Sequence, residues 1–283
     1  MRHLLASIFL LALAHGAQAE ERVHFPSLDG PPATMLDGYL FRAEASGPHP
    51  ALVFLHGCGG LFNRAGAINS RERDWAARFN GMAITVLMVD SFGPRHHGEM
   101  CAPAHFDDAI YRARPQDAYA ALHYLQAQDF VRPDRIGLIG WSLGGGTVLN
   151  TIRATSPARP PVLPAGDFRA AVAFYPASCS PRLQGITWSS PVALLVLVGE
   201  NDVWTPASPC RALIEAPAAG TQASIHIYPG AYHDFDWPGL ALHDLPAFRT
   251  RAGVVPIEGM DPAARADALQ RVPAFFASYL QAP

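Results

Sequence analysis

Gly140, Trp141, Ser142, Leu143 and Gly144 spell G-x-S-x-G, a serine held between glycines. A serine hydroxyl is a weak nucleophile until a base takes its proton, so the motif does chemistry only where a base and a group that orients the base come within reach. All 21 basic residues other than histidine are arginine. The lack of lysine removes Schiff-base and serine–lysine mechanisms, and histidine is left as the base. Two later segments supply the missing types: Gly199, Glu200, Asn201, Asp202 and then Gly230, Ala231, Tyr232, His233. In the chemistry these residues predict, His233 takes the proton of Ser142 and passes it to the leaving group, while Asp202 fixes the imidazole tautomer and offsets its developing charge. Glu200, Asp234 and Asp236 compete with Asp202 for that role. The last two adjoin the histidine in sequence and would have to fold back to reach its ring. A fourth segment, His56, Gly57, Cys58, Gly59, Gly60, is a glycine-rich turn whose backbone N–H groups could approach a ligand. The N–H groups of Cys58 and Leu143 are the candidates for an oxyanion hole. A phosphate-binding loop would need a G-K-[ST] ending, which is absent.

Each of these groups must sit at the end of a strand. With 24 glycines in 283 residues, G-x-S-x-G can arise from composition, so its context decides its weight. Ile136 to Ile139 leads in as a buried strand would, and Thr147, Val148, Leu149 and Ile152 lead out at helical spacing. A serine at that junction is the strand–turn–helix setting of a nucleophile elbow. Strands are predicted at Val23–Phe25, Leu36–Arg42, Ala51–Leu55, Ala83–Val89, Arg135–Gly140, Ala170–Phe174, Val192–Val198 and Ser224–Tyr228. Helices are predicted at Arg71–Phe79, Pro115–Gln126, Pro206–Ile214 and near Ala263–Leu280, the last kinked at Pro273. Apolar strands alternating with amphipathic helices make the fold class α/β: a mainly parallel twisted sheet of about eight strands with helices on both faces. In such sheets chemistry gathers at the carboxyl ends of the strands. The order serine, acid, histidine is the one found in α/β-hydrolases.

The apolar share is 49%, the charged share 16% and the net charge −3, a globular profile with no basic patch for nucleic acid. Residues 1–19 carry Arg2 and His3, an apolar run from Leu4 to Ala14 and an Ala17–Gln18–Ala19 ending. This pattern predicts a secretory signal peptide cleaved after Ala19. Residues 20–283 then form a single domain exported to a periplasm or to the outside, with no membrane contact after cleavage. Four cysteines in an exported chain suggest disulfides, with Cys58 to Cys101 and Cys179 to Cys210 as the expected pairs.

Together the His56–Gly60 turn, G-W-S-L-G-G at Gly140–Gly145, G-E-N-D-V-W-T-P at Gly199–Pro206 and G-A-Y-H-D at Gly230–Asp234 resemble the dienelactone hydrolase family of α/β-hydrolases. The resemblance implies Ser142 as nucleophile, Asp202 as acid, His233 as base and the Cys58 and Leu143 amides as oxyanion hole. It also implies a small ester or lactone as substrate, with no cofactor. Two departures stand out. The founding members use a cysteine nucleophile where this chain has serine. They also place an arginine shortly after the histidine, where this chain has Phe235, Asp236 and Trp237, which argues against an anionic dienelactone.

For the substrate pocket the candidates are Trp141, Arg95 and Trp237. Arg95 lies in Ser91–Asp108, a segment expected to overhang the site, and would either anchor an anionic group or form an ion pair. The histidines and acids of that segment match no recognised zinc spacing, and no metal is expected. Trp237, with Leu240, Leu242 and Leu245, would line an apolar pocket or cover the core. The sequence thus predicts an esterase or lactonase. A prolyl-oligopeptidase-like peptidase and a catalytically silent binding protein on the same fold are the alternatives.

Overall fold

The computed structural model describes residues 20–185, 188–215 and 217–281. The expected signal peptide lies outside the described residues. Eight strands form the main sheet: β1 (Glu21–Pro26), β2 (Met35–Phe41), β3 (His49–Leu55), β4 (Thr85–Asp90), β5 (Val131–Trp141), β6 (Ala170–Phe174), β7 (Ala193–Gly199) and β8 (Ala223–Tyr228). Their order is β1-β2-β4-β3-β5-β6-β7-β8. Pairing is antiparallel from β1 to β2 and from β2 to β4, and parallel from there to β8. This is the α/β-hydrolase fold expected from the sequence.

The helices are α1 (Ser70–Asn80), α2 (Asp108–Gln126), α3 (Leu143–Ile152), the short α4 (Pro181–Gln184), α5 (Ala207–Glu215) and α6 (Pro262–Leu280). They cover both faces because successive strand residues point to opposite sides. On β3, Ala51, Val53 and Leu55 join the core under α2, α3 and α5. Leu52 and Phe54 join the core under α1 and α6, with Trp75, Phe79 and Phe276. Burying each such large apolar side chain is worth ~1.5–3 kcal/mol relative to leaving it in water, so the two cores hold the strand ends in a fixed array.

The short α4 has no counterpart among the predicted helices, and two further elements depart from expectation. Helix α2 begins at Asp108 rather than at Pro115, because Asp107 caps it: the Ile110 N–H donates to Asp107 Oδ1 at 3.0 Å. The capping oxygen satisfies a first-turn amide. The extra turns pack Ile110 and Tyr111 with Phe92, Met100 and Leu143, which offsets the interior proline. The second departure is a two-stranded ribbon, β9 (His243–Asp244) with β10 (Ile257–Glu258). Both expected disulfides are present, Cys58–Cys101 and Cys179–Cys210. The first ties the turn after β3 to the segment after β4.

Candidate active site

Ser142 stands between β5 and α3 with φ 52° and ψ −113°, a left-handed conformation that a residue with a Cβ adopts only when its surroundings impose it. Here they do. Its N–H donates to the Phe174 carbonyl at 3.0 Å, and its carbonyl accepts from Gly146 and Ala177, each at 2.9 Å. The flanking glycines are required by contact: a Cβ at Gly140 would strike the Gly144 carbonyl, and one at Gly144 would strike the Leu55 carbonyl. The G-x-S-x-G spacing is therefore what lets α3 start this close to β3 and β5.

Asp202 follows β7 and His233 follows β8, and the two side chains meet. His233 Nδ1 lies 2.7 Å from Asp202 Oδ2, with both side chains buried. The other oxygen of Asp202 accepts the N–H groups of Trp204 (2.9 Å) and Thr205 (2.8 Å), which fixes the carboxylate in its own loop. The His233 ring sits between Tyr175 and Trp204, at 4.5 and 5.0 Å between ring centres. Burial alone would lower its pKa, but the charge and hydrogen bond of Asp202 outweigh burial and raise it above 6.5. With Nδ1 donating to Asp202, Nε2 keeps its lone pair.

The carboxylates next to His233 turn away from its ring. Asp234, with φ 57°, accepts from Arg71 Nη1 at 2.6 Å. Arg71 is buried, and its other terminal nitrogen lies 2.7 Å from Glu72. Asp236 accepts the indole N–H groups of Trp75 and Trp141 at 2.8 and 2.9 Å and the Tyr175 hydroxyl at 2.6 Å. Burial raises the pKa of Asp236. At Asp234 burial is outweighed by Arg71 and His233, which hold the group below its usual value.

Two cavities flank Ser142. One, of about 340 Å³, is lined by Met100, Phe106, Leu143, Ala177, Trp204 and Phe248, among others. The second, of about 330 Å³, contains His233 and is bordered by the Gly57–Gly60 turn with Arg64, Asn69, Trp237 and Glu258. Cys58 borders both cavities, as does Cys101.

Of the expected pocket residues, Trp237 borders the second cavity, where its indole N–H donates to Ser70 at 2.9 Å. Trp141 and Arg95 do not reach either cavity. Trp141 is fully buried, stacked on Phe174 and bound to Asp236, because its place at the end of β5, just before Ser142, points it to the α1 and α6 core. Arg95 is held by Asp29 and Asp117, each at 2.8 Å, and by the Ser91 carbonyl, so its charge is spent on tying the segment after β4 to α2. Leu242 is exposed. The aromatic residues that do line the first cavity, Phe106, Trp204 and Phe248, went unassigned in the sequence. Only Trp204, inside G-E-N-D-V-W-T-P, lay in a quoted motif. Among the described residues no group of three or more His, Cys, Asp or Glu could hold a metal ion, and no helix is long and apolar enough to cross a membrane.

The model of the dienelactone hydrolase family matches residues 100–280. The chain belongs to that family. Two curated relatives match shorter stretches: the Bacillus subtilis protein YtaP, 28% identical over 114 residues, and the Aspergillus aculeatus thiohydrolase AneE, 34% identical over 128 residues. The matches cover 36% and 45% of this chain, and the chain spans only 38% and 35% of those relatives. Among solved structures, the metagenomic dienelactone hydrolase-like phosphotriesterase P91 aligns with a TM-score of 0.64 at 22% identity, over 92% of this chain and 99% of that one. Esterase 2 of Thermogutta terrifontis aligns with a TM-score of 0.62 at 16% identity, over 93% of each chain. At these identities the structural likeness speaks for the fold.

Proposed function

We propose that this member of the dienelactone hydrolase family is an exported serine hydrolase that cleaves small carboxylic esters or lactones through an acyl-enzyme. The observation that carries this reading is the buried 2.7 Å contact of His233 with Asp202, beside a cavity that both His233 and Ser142 line. Ser142 Oγ bonds to the acyl carbon while its proton passes to His233 Nε2. The amides of Cys58 and Leu143 take the charge that develops on the carbonyl oxygen. The bond to the leaving oxygen then breaks as His233 returns the proton to it. Water, deprotonated by the same imidazole, attacks the acyl-enzyme and frees Ser142.

The family's small-ester chemistry supports this reading. Thermogutta esterase 2, of the same fold, is known phosphorylated by paraoxon, the adduct an activated serine would form, and AneE is named a thiohydrolase. Thioesters therefore belong in the substrate panel beside oxygen esters. Export fits the two disulfides, which persist in oxidising compartments, and N-terminal sequencing of the mature protein should begin at Glu20. The deciding experiment is hydrolysis of p-nitrophenyl esters of increasing acyl length. Ser142→Ala is expected to lose up to about a millionfold in turnover. A variant rate within tenfold of the parent would remove Ser142 from the mechanism.

A further inference from the structure

The two cavities beside Ser142 share Trp204 and Phe248 but differ in the charged side chains that line them, and only one contains His233. A general acid must reach the oxygen that leaves, so the leaving group has to extend into the compartment His233 lines. That compartment presents Arg64, Asn69, Glu99 and Glu258 beside Trp204, Trp237 and Phe248, and the glycine turn also lines it. Arg64 is exposed. Asn69 donates to the Gly60 carbonyl at 3.1 Å, and Glu99 is paired with His105. Groups of this kind reward a ligand that can hydrogen-bond and penalise one that cannot. The other cavity holds the amide-bearing Leu143 but not His233. Met100, Pro103, Phe106 and Ala177 line this cavity alone, Trp204 and Phe248 are shared by the two, and Thr205, Thr250 and Arg251 also belong to its lining. An apolar chain gains by leaving water there and a hydroxylated one loses.

We infer that substrates bind in one orientation, with an apolar acyl group between Met100, Phe106 and Ala177 and a hydroxyl-bearing alcohol in the compartment beside His233. The substrate class is then an ester of an apolar acid with a hydrophilic alcohol. This inference rests on the serine hydrolase reading, and it concerns which half of the ester is recognised by which side of the site.

A pair of isomeric esters tests it on the unaltered enzyme. 2-Hydroxyethyl hexanoate places the six-carbon chain on the acyl side and the hydroxyl on the alcohol side. Hexyl glycolate reverses them. With each kcat/KM divided by the ester's own alkaline hydrolysis rate, the hexanoate should be favoured at least about tenfold. Equal values or a preference for the glycolate would overturn the orientation while p-nitrophenyl acetate is still cleaved. Failure to cleave p-nitrophenyl acetate as well would strike the hydrolase reading itself and take the orientation with it. A second measurement locates the acyl side. Ala177→Phe should depress p-nitrophenyl hexanoate turnover about tenfold more than p-nitrophenyl acetate turnover, and an equal loss on both would place the acyl chain elsewhere.

Discussion

Asp202, in the loop after β7, and Asp234, in the segment after β8, are both buried beside His233, yet they serve it in opposite ways. Asp202 accepts from the N–H groups of Trp204 and Thr205, from the Thr205 hydroxyl at 2.8 Å and from the imidazole; all but the ring are neutral groups of its own loop, so its charge is directed at the ring. Asp234, although joined to the histidine by one peptide bond, spends its charge on Arg71, which also meets Glu72 and Tyr175. Adjacent residues cannot easily bring a carboxylate back to its neighbour's ring, whereas residues from two neighbouring strand ends can. The carboxylate that meets the His233 ring thus comes from across the sheet, and the carboxylates beside it in sequence are free to build its support.

The largest effect that would separate the two regions is on turnover. Asp202→Asn keeps the shape but reverses the hydrogen-bonding preference of Nδ1, and should lower kcat by about ten-thousandfold. Asp234→Asn should keep kcat within about tenfold. If the two variants exchanged these values, the assignment of Asp202 would fall. The next effect is on stability. Arg71→Met leaves Glu72 and Asp234 buried without their cation, and removing one partner of a buried pair costs about 3–5 kcal/mol. Urea unfolding should show this as a lower midpoint at unchanged m-value. Adding Asp234→Asn to Arg71→Met should then cost less than the sum of the two single changes, because they share one network. Full additivity would mean that the Arg71–Asp234 contact carries no energy.

Ser142, Asp202 and His233 could be placed at strand ends because each follows a strand, and the runs 136–139 and 193–198 ahead of the first two are apolar throughout. β1, β2 and β8 mix polar with apolar residues, and there the alternation marked the strand. The buried support was not. Arg71 and Glu72 read as ordinary charged positions on an amphipathic helix, and only the fold turns that face inward beneath Trp141 and Trp237. Arg95 drew attention as a cation near the site, but Asp29 and Asp117, its partners, lie far from it in sequence, and distance along the chain hides such pairs. Trp141 is buried for a simpler reason: alternation on β5 sends it to the face opposite Gly140, and at Ser142 the strand ends. The apolar cavity was hidden because Phe106, Trp204 and Phe248 come from three separate loops, which no periodicity links.

The smallest effect concerns pH, and it sharpens the same contrast. Burial lowers the His233 pKa, but Asp202 and, more weakly, Asp234 and Glu258 raise it above 6.5. The proposed mechanism needs the neutral ring, so kcat/KM should climb as pH rises through that raised value. The sign for stability is opposite. A histidine whose pKa is raised on folding stabilises the fold fully below its unfolded value of 6.5, and that contribution is lost as pH rises through the folded one. Glu258 acts in the same direction: burial, then Asp234, push its carboxyl up to about 7, so its ionisation also draws stability down on the way to neutral pH. Activity should therefore rise while the melting temperature falls over one window, and Glu258→Gln should flatten part of the second trend without moving the first by more than a small shift. NMR titration of the His233 imidazole completes the comparison. Asp202→Asn should move its pKa down further than Asp234→Asn does, because the first removes both a charge and the acceptor bonded to the ring while the second removes a charge that Arg71 already faces. A larger shift from Asp234→Asn would mean that Arg71 does not screen that carboxylate from the histidine, and that both regions act on the ring directly.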